Sequence, residues 1–285
     1  MIGGHADRGH CELAPSSSKR WMACPGSIMA TRGAERFTSL HAAEGTAAHE
    51  LAERALRAGM PPLTWIAAEI NGFVVTAEMA ADVAVYVDHC QSIEAEHRWI
   101  EQQVNLKSLN PPGNMWGTAD YVALSRALDG SRTLHVVDLK FGKGVLVEVE
   151  DNSQLLYYAL GAYLVSPHRT EINRVVATIV QPRADHADGP VRSVEYTVDE
   201  IVDFAHDLLN AADRALADEA PLVAGEHCRW CPAEPRCPAR YEAMQELARI
   251  EFAEPIPAAP APSELSIDQL RTVLARRSEI ESWLS

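Results

Sequence analysis

"LHVVDLKFGKG", residues 134–144, carries a run of apolar and β-branched residues into an Asp, then a Lys, then a glycine-flanked turn. Buried strands seldom finish with a carboxylate and an ammonium two residues apart. In a strand, residues i and i+2 face the same side. Asp138 and Lys140 are therefore expected on one face of the strand end, with Leu139 turned the other way into a core. A second acid, Asp120 in "GTADYVAL", lies on what reads as the neighbouring strand, so the two carboxylates can converge on one cation.

Working outward, "GTADYVALS" (117–125), "RTLHVVDLKF" (132–141) and "VLVEVE" (145–150) read as a short antiparallel meander. Residues 152–165 return to helical spacing, 172–182 and 191–198 read as two more strands, and 199–219 as an amphipathic helix. Upstream, 42–59 is rich in Ala, Leu and Glu and stops at Gly59, and 77–103 reads as one long helix. The expected organisation is an N-terminal segment (1–41), a core (42–220) with a helical insertion at 60–110, a cysteine segment (221–250), a Pro/Ala linker (251–265) and a final helix (266–285). The fold class is α/β, with a small mixed central sheet flanked by helices.

The chain has 285 residues, 47% hydrophobic, with a formal net charge of −15. That charge argues against a generic DNA-coating protein but leaves room for an enzyme with a local basic groove. No apolar run is long enough for a membrane span, and the N-terminus has no apolar signal core, so a cytoplasmic setting is expected. In a reducing compartment the six cysteines are expected free or metal-bound.

Hard divalent ions such as Mg²⁺ and Mn²⁺ favour oxygen ligands, with one or two carboxylates plus water and phosphate. Lys140 beside such an ion can orient water or balance phosphate charge. His49 in "GTAAHELAE", and Gln154 and Tyr158 on one face of the following helix, fit the same pocket. Glu148, Glu150 and Lys143 read as an exposed hairpin, with Lys143 within reach of phosphate.

"G-T-x-x-H-E", "G-x-A-D", "D-x-K" and "Q-L-x-x-Y", in this order over residues 42–165, resemble the PD-(D/E)xK nucleases and, more narrowly, their RecB-like branch. The resemblance implies a restriction-endonuclease-like core. It implies His49, Asp120, Asp138 and the Leu139 carbonyl as ligands of Mg²⁺ or Mn²⁺. Lys140 would be the catalytic lysine, and Gln154 and Tyr158 would position the site or the DNA backbone.

"HCRWCPAEPRCPARY" gives Cys228-x₂-Cys231-x₅-Cys237, a spacing that calls for a metal or cluster and a fourth ligand. Cys11, Cys24 and Cys90 are the candidates, and four thiolates suit either Zn²⁺ or an iron–sulfur cluster. RecB-like nucleases with an iron–sulfur clasp, including those of CRISPR adaptation and the AddB type, carry one Cys before the core and three after it. That resemblance implies Cys24 with Cys228, Cys231 and Cys237 around a [4Fe–4S] cluster joining the two helical ends of the fold. Arg20, Arg229 and Arg236 then become candidate DNA contacts, with Trp230 available for stacking.

The expected function is a metal-dependent DNA nuclease, an exonuclease or a single-strand or flap nuclease, acting on single-stranded DNA or duplex ends. The start of the chain resembles phage-encoded proteins of this superfamily, which implies recombination, repair or processing of phage DNA with a phage recombination partner. The alternative is a non-catalytic DNA-binding or recombination-partner module on the same fold.

Overall fold

The computed structural model describes residues 11–34, 39–251, 266–275 and 277. Two short helices, α1 (Ser18–Ala23) and α2 (Ser27–Thr31), precede the long α3 (Leu40–Ala58). A small hairpin, β1 (Glu69–Ile70) and β2 (Phe73–Val74), leads into α4 (Ala77–Ser92). Strands β3 (His97–Asn105), β4 (Trp116–Arg126) and β5 (Arg132–Leu139) follow, then α5 (Ser153–Val165), β6 (Ile172–Val180), β7 (Val191–Thr197) and α6 (Val198–Ala215). Helices α7 (Pro238–Glu251) and α8 (Ile267–Ala275) complete the described chain. The Pro/Ala linker lies outside the described residues apart from Glu251, as does most of the final helix beyond Ala275.

The five-stranded sheet has the order β3-β4-β5-β6-β7. Its neighbours are antiparallel except β5 and β6, which are parallel, with Asp138 beside Ile179 and Leu139 beside Val180. A parallel pair needs a crossover, and α5 supplies it. The sheet is mixed, as its strand pattern led us to expect.

Helix ends follow local chemistry. The Ser39 side chain accepts the Ala42 N–H at the start of α3, and Gly59 ends it in the left-handed region at φ 63°. Thr76 and Asn152 cap α4 and α5 in the same way. Ala47, Leu51 and Ala55 of α3 pack with Met79, Val83 and Val87 of α4 against Tyr121, Val137 and Leu139 of the sheet. Helix α5 covers the opposite face. Gly161 permits its close approach, since a Cβ there would lie 2.8 Å from the Val104 side chain.

Two expectations are corrected. Residues 97–105 are the edge strand β3, not the end of a helix, so 60–110 is not a purely helical insertion. Residues 145–150 are not a strand. The Gln181 amide donates to the Val145 carbonyl (2.7 Å) and accepts the Val147 N–H (3.1 Å), while Arg192 donates to the Val147 carbonyl (2.8 Å). Side chains thus take the backbone groups a neighbouring strand would have used.

The chain divides into two compact units: the described parts of Met1–Lys19 and Phe37–Ala212, and those of Arg20–Arg36 and Asp213–Ser285. The first holds the sheet. The second is assembled from two distant stretches, with Gly26 N–H donating to the Pro221 carbonyl at 2.8 Å.

Candidate metal centre

Helix α3 presents His49 from a face of small residues, Ala47, Ala48 and Ala52, that lets the helix lie close to the sheet. His49 Nδ1 lies 3.4 Å from Asp120 Oδ1. The other oxygen of Asp120 accepts the Leu139 N–H at 2.8 Å, so this carboxylate also ties β4 to the end of β5. The third member is Glu101, on β3. One ligand atom from each of His49, Glu101 and Asp120 lies within 4.8 Å of the others, which makes them the one such group of three among the described residues.

Glu101 arrives by an irregularity. Ile100 packs toward the α3/α4 cluster, whereas Val104, four residues on, lies under α5. A regular strand would turn both to one side. The change of face falls at Glu101, whose φ is 56°, and the β3–β4 register passes over the Glu101/Asp120 position.

A second group adjoins on the α5 side. Asp138, 3% exposed, pairs through Oδ2 with Lys140 Nζ at 2.8 Å. Lys140 Nζ donates to Gln154 Oε1 (2.8 Å), and Gln154 Nε2 donates to Asp138 Oδ1 (3.2 Å) and to the Tyr158 hydroxyl (3.3 Å). Asp138, Lys140, Gln154 and Tyr158 thus meet in one cluster, while Leu139 points into the α3/α4 core. Phe141 is held beneath the Arg183 guanidinium at 4.5 Å, and Arg183 pairs with Glu44 of α3 at 3.0 Å.

The two carboxylates differ in proton affinity. Burial pushes Asp138 up, and the neighbouring Asp120 charge adds to it, outweighing Lys140. Burial opposes ionisation of Asp120 too, but His49 and the Leu139 N–H prevail and hold it below the usual carboxylate range. His49 is raised despite its burial, because the Asp120 carboxylate favours the imidazolium. Burial raises Tyr158. Asp120 is therefore ionised at neutral pH, the state in which a carboxylate can hold a hard cation.

The other singled-out residues lie elsewhere. Lys143 pairs with exposed Glu78 at 3.2 Å. Arg229 and Arg236 are exposed, Arg20 is half-buried, and Arg229 lies over the exposed Trp230 ring at 5.1 Å.

Cys24, Cys228, Cys231 and Cys237 all belong to the second unit. Cys24 Sγ accepts the Val223 N–H at 3.2 Å and Cys228 Sγ that of Gly225 at 3.4 Å. Burial raises the Cys228 thiol, against Arg240 and with Cys231 and Cys237 adding to it. No three thiols among the described residues come within 4.8 Å of one another, so they form no cluster in this structure. The alternative fourth ligands are engaged in the first unit. The Cys11 thiol donates to the Trp116 carbonyl at 2.9 Å, and Cys90 is fully buried in α4, where burial pushes its thiol well up and keeps it un-ionised.

Glu101 was not legible in the sequence as a ligand, because 97–103 reads as helix there. Its one signal, an acid following Trp99 and Ile100 in a β-compatible run, becomes informative only once the strand is known.

Fold and site together define a mixed α/β protein with a His–carboxylate group between helix α3 and strands β3 and β4 of its sheet. The chain belongs to the family described as "Protein of unknown function (DUF2800)", whose model matches residues 10–285. A solved structure titled "Crystal structure of SSO0001" is similar at 12% identity over 78% of this chain and 96% of that one, with a TM-score of 0.30.

Proposed function

We propose that the protein is a Mg²⁺- or Mn²⁺-dependent deoxyribonuclease. One observation carries this: Asp138, Lys140 and Gln154, from β5, the residue just beyond it and α5, form one bonded group directly beside the His49–Asp120 pair. An ionised cation site next to a positioned lysine suits hydrolysis of a phosphodiester.

His49, Asp120 and Asp138 hold the cation in this reading, with the Leu139 carbonyl as a further ligand. The donor set fits a hard divalent ion: oxygen ligands predominate, and Asp120 is kept ionised. When bound, the ion would polarise the scissile phosphate and lower the pKa of water. Lys140, aimed by Asp138 and Gln154, orients the attacking water or balances charge developing on phosphate, and Tyr158 fixes Gln154. Lys143, Arg20, Arg229 and Arg236 are proposed contacts to the DNA backbone, and Lys143 must leave Glu78 to make one. The substrate is single-stranded DNA or duplex ends, in cytoplasmic processing of phage DNA. The second unit would bind a [4Fe–4S] cluster through Cys24, Cys228, Cys231 and Cys237. Two of these sulfurs already accept backbone N–H groups, the kind of contact that tunes cluster thiolates.

The test is cleavage of end-labelled single-stranded, duplex and circular DNA with Mg²⁺ or Mn²⁺. Linear substrates should be degraded. Asp138→Asn and Lys140→Ala should each lower the rate about 100-fold or more. Unchanged cutting by either variant, or no metal-dependent cutting by the wild type, would overturn the proposal, the latter in favour of a non-catalytic DNA-binding module.

A further inference from the structure

Arg192 of β7 is only 5% exposed. The other buried arginines among the described residues each face a carboxylate, Arg132 that of Glu96 at 3.0 Å and Arg240 that of Glu234 at 3.4 Å. Arg192 differs. Its Nη2 donates to two neutral oxygens, the Val147 carbonyl at 2.8 Å and Gln181 Oε1 at 3.0 Å. Its Nε and Nη1 are buried and make no hydrogen bond. A guanidinium taken out of water without a counter-charge is costly, and its idle donors call for an anion.

The strand register says which anion can reach it. Val191 packs toward the α3/α4 cluster, so Arg192 turns to the other face, that of α5. Asp138 lies beside Ile179, and Ile179 beside Arg192. The three form one row across β5, β6 and β7, on the face where Gln154 of α5 meets Asp138. Arg192 thus stands two strand spacings, roughly 10 Å, from the carboxylate at the end of β5. A DNA strand whose scissile phosphate is held at Asp138 carries neighbouring phosphates within that distance.

The stretch that joins Lys140 to α5 covers the arginine. Residues 145–147 are held by side-chain bonds to Gln181 and Arg192 rather than by strand pairing. Val145 and Leu146 are exposed, so little packing opposes lifting the stretch, and Gly144 turns the chain into it at φ 81°. Moving Val147 away would release Nη2, which with Nε makes the fork that matches two phosphate oxygens. We propose that Arg192 binds the phosphate of the DNA strand next to the scissile one, and that residues 145–147 are a strap that yields the arginine to it. In the free protein the Val147 carbonyl stands in for a phosphate oxygen. This rests on the DNA-cleavage reading above and extends it to the adjoining nucleotide.

The test is fluorescence anisotropy of a labelled single-stranded oligonucleotide over a range of salt, in EDTA so that nothing is cut, with thermal melts to check each fold. Arg192→Gln should weaken binding about 10-fold. It should also make the slope of log affinity against log salt shallower by about 0.7, the loss of one phosphate contact on a single strand. Gln181→Ala loosens the same strap but keeps the guanidinium, so it should bind at least as tightly as the wild type with an unchanged slope. A wild-type slope in Arg192→Gln, or a loss of affinity in Gln181→Ala, would overturn the assignment and leave the nuclease proposal standing. If Arg192→Gln does not fold, Gln181→Ala decides alone. A wild-type chain that does not bind the oligonucleotide would overturn the assignment too, and one that also fails to cut it with Mn²⁺ would overturn both.

Discussion

At Glu101 the decisive information is a single backbone angle, and no local pattern announces it. Asp138 and Lys140 are the opposite case. Their spacing on a strand end fixes their shared face, and the chain supplies Gln154 to meet them. The difference is physical. Strand alternation is a local rule, whereas the turn-out at Glu101 depends on what packs above and below β3. A residue of another kind, His135 on β5, sets an acid limit on the fold. It shares a hydrogen bond with Ser125 at 2.9 Å. Burial, with His89 adding and Glu195 opposing, holds its pKa down to about 4 from an ordinary 6.5. Between those values the unfolded chain binds a proton that the folded one does not. Stability should therefore fall as pH drops from 6.5 to 4 and level off below, by up to about 3 kcal/mol from this residue. Urea midpoints at pH 7 and 4.5 should converge in His135→Gln relative to the wild type, and an unchanged gap would refute the assignment.

Most elements were legible in the sequence: α3 from its capped Ala/Leu/Glu run, β4 to β7 from their β-branched stretches, and α5 from its helical spacing. The two misreadings share a cause, since each depends on a partner far along the chain. Residues 97–105 are rich in Glu, Gln and Arg, good helix formers, and only pairing with β4 makes them a strand. Residues 145–150 alternate like a strand, but their backbone is satisfied by Gln181 and Arg192. Gln181→Ala removes two of these bonds and leaves Arg192 short of an acceptor. It should destabilise the protein by about 1–3 kcal/mol. Limited proteolysis should then cut first within 142–152, and a variant cut no faster there than the wild type would contradict this account.

Considered whole, the molecule is acidic, and no helix among the described residues is long and apolar enough to cross a membrane. Its second unit joins Arg20–Arg36 to the segment beginning at Asp213, with the whole sheet-bearing stretch between them. A cluster bridging Cys24 to Cys228, Cys231 and Cys237 would offset the loop-closure entropy of that connection. Anaerobically purified protein should be brown and hold about four irons per chain. Oxidative loss of iron should expose 213–251 to protease while the sheet-bearing unit resists. Colourless protein with stoichiometric zinc would overturn the cluster.

The split second unit also has a consequence for synthesis. On the ribosome, Trp21 and Ile28, both buried in the finished protein, emerge long before the segment that their unit requires. At ordinary elongation rates the wait from residue 36 to residue 237 is roughly 10–40 s. The sheet-bearing stretch can finish its pairing in that interval. The nascent N-terminal helices are left as exposed apolar surface, a natural station for a chaperone.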